Sequence, residues 1–140
     1  MLPIENYTIA VFEKYAMYYV GLSSAITEKF GDDLRIVHCP TVDLSIPTII
    51  EYPVDLILFH VPLFMPFRAV KQLVKKIKER HHEAGIILYS AENRNDLEKN
   101  VDALDIKGAF LLSDSPEDIM HEIGKIVDKK GESNVLIKMD

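Results

Sequence analysis

Apolar and polar positions along the chain follow two periods, one near two residues and one near 3.6. The clearest short apolar run is Val54-Asp55-Leu56-Ile57-Leu58-Phe59-His60-Val61-Pro62, preceded by Pro53. A run this short and this apolar predicts a strand buried on both faces, as at the centre of a parallel α/β sheet. Four more strands are predicted at Tyr7–Phe12, Leu34–Cys39, Gly85–Tyr89 (ending at Ser90) and Gly108–Leu112. Between them the period changes. Ala16, Tyr19, Val20, Ile26 and Phe30 mark a helix over about Tyr15–Phe30, and Val70, Leu73, Val74 and Ile77 mark another over Pro66–Arg80. Asn93 or Asn95 caps a helix with Leu97, Val101 and Leu104 on its inner side. Ser115-Pro116-Glu117-Asp118 opens the last helix with a capping serine, a first-turn proline and acids at the positive dipole end. Ile119, Ile123, Ile126 and Val127 stripe that helix, and Lys130-Gly131 is expected to close it. A short helix, Asp43–Glu51, interrupted by Pro47, completes the set.

Five strands alternating with five helices predict a (βα)5 doubly wound parallel sheet, flavodoxin-like, with strand order 2-1-3-4-5 and right-handed crossovers. Residues 1–130 form one domain. Residues 131–140, carrying Val135, Leu136, Ile137 and Met139, are expected to be a C-terminal tail or the start of an interdomain linker.

Composition narrows the function classes. A chain of 140 residues, 48% hydrophobic and 27% charged, can bury a core without disulfides. The single Cys39 excludes an internal disulfide and fits a reducing, cytoplasmic setting. No apolar stretch reaches membrane-spanning length, and Met1-Leu2-Pro3-Ile4-Glu5 is no signal peptide. A net charge of −6 gives no overall attraction to nucleic acid. Lys71, Lys75, Lys76 and Lys78 read as a solvated helix face, since no aromatic residue is interleaved with them.

In a doubly wound sheet, chemistry sits beyond the carboxyl ends of the strands. That edge carries Glu13-Lys14, His60, Ser90 and Ser113-Asp114. No glycine-rich phosphate loop follows any strand, and Glu13–Val20 holds no glycine. A Ser/His hydrolase built from Ser90, His60 and Asp114 or Glu13 is the rival reading, but Tyr89-Ser90-Ala91 lacks the G-x-S-x-G elbow. A flavodoxin-like cofactor carrier is a second rival, and the edge offers no glycine- and serine-rich cradle for one. No cofactor and no enzymatic activity are expected. His38, His81, His82 and His121 show no metal-ligand spacing, so no metal is expected either.

Ile9-Ala10-Val11-Phe12-Glu13-Lys14 resembles the first strand and acidic turn of response-regulator receiver domains. Tyr15-Ala16-Met17 through Gly21-Leu22 resembles the opening helix of the LuxR/NarL-like subgroup. Val54–Leu58, Ile86–Ala91 and Phe110–Asp114 followed by Pro116-Glu117-Asp118 are similar to the third, fourth and fifth strands of that family. The resemblance spans Tyr7–Lys130. It implies an aspartate acceptor at the end of strand three, two magnesium-binding acids after strand one, a hydroxyl ending strand four and a lysine ending strand five. Here those positions are His60, Glu13-Lys14, Ser90 and Ser113, so only Glu13 and Ser90 keep the family's chemistry. Asp55 cannot replace the acceptor, lying five residues upstream, roughly 16 Å along a strand.

The resemblance therefore implies a degenerate pseudo-receiver, a two-component signalling module regulating transcription through protein contacts, without phosphorylation. Lys14 is expected to pair with Glu13 and supply the cation's charge. Ser90 and Phe110 match the family's switch positions, with Phe110 expected in a single rotamer. A constitutive homodimer is expected through the fourth helix, fifth strand and fifth helix (Asn95–Leu104, Gly108–Leu112, Pro116–Val127), in preference to the first helix. A protein partner or a DNA-binding domain further along the full-length chain would complete the assembly. Membrane binding and direct nucleic-acid binding by this segment are not expected.

Overall fold

The computed structural model describes residues 7–40, 53–62, 65–81, 83–91, 97, 99 and 102–139, with side chains described as far as residue 127. Five strands, β1 (Tyr7–Phe12), β2 (Leu34–Cys39), β3 (Leu56–His60), β4 (Gly85–Ser90) and β5 (Gly108–Leu111), form one parallel sheet in the order β2-β1-β3-β4-β5. The predicted strands and their order are both found. Helices α1 (Ala16–Phe30), α2 (Phe67–Arg80) and α3 (Pro116–Met139) connect or follow them, and residues 97, 99 and 102–104 are helical as well. The expected Asp43–Glu51 helix lies outside the described residues, as do the caps Asn93 and Asn95.

Alternation along the strands sends each apolar residue to one of two cores. Ile9, Val11, Leu56, Leu58, Ile87, Tyr89 and Phe110 pack under α1 (Leu22, Ile26, Phe30) and α3 (Ile119, Met120, Ile123, Val127). Ala10, Phe12, Ile57, Phe59, Ile86 and Leu88 pack on the other face against Val70, Val74 and Ile77 of α2, with Leu97 and Ile106. The central strands are covered on both sides, which is why their sequences are continuously apolar.

Local chemistry fixes the element ends. Gly31 closes α1 with φ +97°, a conformation side chains disfavour, and its N–H donates to the Thr27 carbonyl at 2.9 Å. Ser115 Oγ accepts the Asp118 N–H at 3.1 Å and caps α3. The other end of α3 departs from expectation: the backbone stays helical through Lys130-Gly131 to Met139. A lone glycine costs a helix only about 1 kcal/mol relative to alanine, and no proline follows to stop it.

Cys39 is fully buried at the end of β2, and burial pushes its thiol up to about 11. Because it is the chain's one cysteine, iodoacetamide at pH 8 should leave the folded protein unmodified and alkylate it in denaturant, read by intact mass. Rapid labelling of the folded state would contradict this burial.

Candidate functional site

The site is the last inward-facing row at the carboxyl edge of the sheet. His60 lies beside Tyr89, and Tyr89 beside Phe110, in the parallel register. Glu13 follows β1, its N–H donating to the Cys39 carbonyl at 3.0 Å and prolonging the ladder by one residue. Glu13 is fully buried. A buried carboxylate must have donors, and three converge on it. Tyr89 Oη–H donates to Oε1 at 2.8 Å and the Tyr15 backbone N–H to Oε2 at 2.9 Å. His60 Nδ1 lies 3.0 Å from Oε1 and 3.2 Å from Oε2. The carboxylate thereby selects the His60 tautomer bearing hydrogen on Nδ1.

The rings form a stack. His60 lies on Tyr89 (centroids 5.0 Å, planes 13° apart), and Tyr89 on Phe110 (4.9 Å, 1°). Tyr18 meets His60 edge-on at 6.2 Å. On the far side of Glu13, His38 Nε2–H donates to the Glu13 carbonyl at 2.8 Å and its ring stacks on Tyr19 at 4.0 Å. Burial, and then the hydrogen bond and charge of Glu13, push the Tyr89 phenol far above its ordinary value, so it remains a donor.

The structure places each residue named from the sequence. His60 is partly buried and hydrogen-bonded to Glu13. The Lys14–Glu13 ion pair does not form: Lys14 is exposed, its ammonium 5.8 Å from the Tyr15 ring centroid, and His60 faces the carboxylate instead. Lys14 follows Glu13 directly at the strand end, where successive side chains leave on opposite sides. Asp55 Oδ2 accepts the Thr8 N–H at 2.9 Å at the opposite end of the sheet. Ser113 is exposed, and Asp114 Oδ2 accepts the Leu111 N–H at 2.9 Å, tying down the turn after β5. Ser90 is buried, next to Tyr89 at the end of β4. Phe110 is buried in the stack.

Tyr89 is the site residue that sequence reasoning missed. Its signal was the register, since Glu13, His60, Tyr89 and Phe110 each end the inward set of their own strand.

Comparison with known proteins shows what this frame is. No protein-family model and no curated protein matches the sequence. Solved structures do match. A response regulator from Thermotoga maritima is similar at TM-score 0.70 and 15% identity, covering 87% of this chain and 98% of that one. A LuxR family DNA-binding response regulator from Silicibacter pomeroyi gives 0.69 and 18%, over 88% and 93%. RcsB from Salmonella enterica serovar Typhimurium gives 0.68 and 16%, over 85% and 67%.

The chain has the receiver-domain fold.

In receiver domains the carboxyl edge binds magnesium, and the side chains at this edge decide whether that ion fits. Magnesium requires several oxygen ligands in near-octahedral order. Both Glu13 oxygens already accept donors, an imidazole occupies the acceptor position and an exposed lysine the second acid's. Among the described residues, no three His, Cys, Asp or Glu side chains are placed to hold a metal ion. The receiver fold's magnesium does not fit this edge.

Proposed function

We propose that this chain is a receiver-type signalling module that acts through protein contacts without aspartyl phosphorylation, in the control of transcription. One observation carries the proposal. At the position where a receiver presents its aspartate nucleophile, this chain presents His60, tied by Nδ1 to a buried Glu13. The carboxylate that would serve a metal is held by His60, Tyr89 and the Tyr15 amide. Neither the nucleophile nor the metal neutralising the transferring phosphoryl group is then provided for. The edge is built into one internally bonded arrangement, and a module fixed in one state works by what it binds.

The transcriptional part of the reading draws on structural relatives. The Silicibacter pomeroyi protein is described as a DNA-binding response regulator, and RcsB was solved bound to a promoter. Among the described residues no helix is long and apolar enough to cross a membrane.

Incubation with acetyl phosphate and magnesium, followed by intact-mass spectrometry, tests the reading. The expected spectrum shows no phosphoryl adduct. An adduct mapping to any side chain at the carboxyl edge overturns it.

A further inference from the structure

Helix α2 carries charge of almost one sign. Between Phe67 and Arg80 it holds six of the chain's 16 basic residues and one of its 22 acids, Glu79. The helix is therefore strongly positive within a chain of net charge −6. Val70, Val74 and Ile77 turn to the core. The helical period then sends Arg68, Lys71, Lys75 and Lys76 outward, and all four are exposed.

Solvation alone does not account for this arrangement. Water accepts charge of either sign, and a helix is steadied most when opposite charges alternate one turn apart. Here Arg68 and Lys71, Lys71 and Lys75, and Lys76 and Arg80 set like charges one turn apart, which destabilises a helix. Arg68 also lies in the first turn, against the positive end of the macrodipole, and that turn holds no acid and no capping side chain. Lys78 shows what the fold itself uses. Its Nζ donates to the carbonyls of Leu104 and Asp105, each at 3.0 Å, and ties the helix to the chain leading into β5. Among the described residues, Arg68, Lys71, Lys75 and Lys76 make no such bond and no ion pair. Cations that weaken their own helix and hold no described residue are accounted for by a partner.

The ends of the row select the partner's class. Phe67, 47% accessible, opens it beside Arg68 and offers a seat for an apolar side chain. Glu79, exposed on the same side of the helix, closes it. Between them the cations run only about 12 Å along the axis. A nucleic-acid duplex presents a charge every ~1.7 Å of its length, and would carry its phosphates past the row onto Glu79. An anionic lipid surface would press on Glu79 in the same way, and the chain's net charge of −6 repels both. A short acidic helix presents carboxylates at the spacing of the cations and ends where they end.

We propose that the outer face of α2 docks an acidic helix of a partner protein, whose carboxylates meet Arg68, Lys71 and Lys75 and whose terminal apolar residue covers Phe67. Complementary charge of this kind sets the rate of encounter and the register of the pair. The proposal rests on the reading of this chain as a module acting through protein contacts, and the two fail separately: a phosphoryl adduct overturns the claim made for the sheet edge, whereas failed docking concerns α2 alone.

Fluorescence anisotropy of the full chain with a labelled, alanine-based helical peptide tests it. The peptide carries glutamates at i, i+3 and i+7 and a leucine just before the first. Binding should saturate, and should weaken about tenfold between low and physiological salt. The same peptide with glutamine for glutamate should not bind. Lys71→Glu should weaken binding about tenfold yet raise the melting temperature, because it removes a like-charge pair and faces Lys75 at i, i+4. Phe67→Ala should weaken binding while leaving its salt dependence unchanged. Lys29→Glu, an equal change of charge at an exposed position of α1, should leave binding as it is. The α2 site is overturned by a peptide that does not bind or binds equally without its glutamates. It is overturned equally by Lys71→Glu binding like wild type or melting below it, or by Lys29→Glu weakening binding as much. Tighter binding of a DNA duplex or of phosphatidylserine vesicles than of the peptide would assign the face to another class of partner and overturn it too.

Discussion

Glu13→Ala is expected to destabilise the protein by about 3–5 kcal/mol, the usual cost of removing one member of a buried, hydrogen-bonded charged group. The substitution strands the Tyr89 hydroxyl, His60 Nδ1 and the Tyr15 N–H at once, and fully buried Tyr89 has no water to turn to. For a domain of this size the loss should lower the melting temperature by roughly 10 °C. Glu13→Gln should cost about half as much, because its carbonyl oxygen still accepts one donor while its amide presents hydrogens to the others. Urea denaturation of the three proteins measures the series. An alanine variant as stable as wild type would show that the carboxylate contributes nothing to the edge.

His60→Asp restores a receiver's acceptor residue in name and should fail to restore its chemistry. It puts a second carboxylate at an edge where Glu13 is already buried, and removes the ring stacked on Tyr89. Two carboxylates sharing a buried site cannot both ionise freely, so protonation of the new pair is favoured in the folded state. The sign follows directly. Favouring the protonated form in the folded state penalises the native state at high pH, so the variant should be less stable than wild type at pH 8. It should recover that loss as the pH is lowered toward the ordinary carboxylate range of about 4. Urea midpoints at pH 8, 6.5 and 5 read the trend. A variant least stable at acid pH would contradict it. Acetyl phosphate and magnesium should still leave it unmodified, because the second acid position remains Lys14.

Sheet and site were legible to different depths. The run Val54–Pro62 sufficed to place β3 at the centre, because a strand covered on both faces can spare no interior polar position beyond Asp55 at its start. The candidate edge followed from the fold's geometry, and His60, Glu13 and Ser90 were named from it, while Phe110 came from the family resemblance. What stayed hidden was which side chains meet. Lys14 was assigned to Glu13 by adjacency and charge, although neighbouring positions on a strand diverge. Tyr89 looked like one more apolar residue of β4, since nothing in a linear sequence shows that its hydroxyl ends beside a carboxylate 76 positions away. The end of α3 was misplaced because Gly131 carries a helix-stopping signal only when the following residues cooperate.

The three parallel rings of Phe110, Tyr89 and His60 have a consequence in time. Both faces of the Tyr89 ring are covered, so it cannot turn over until the stack parts on at least one side. Its motion therefore belongs with slow, collective opening rather than with the picosecond hopping of a free side chain. An edge with that clock carries little information in its own rotamers. Message and response are left to the slower business of which surfaces are occupied.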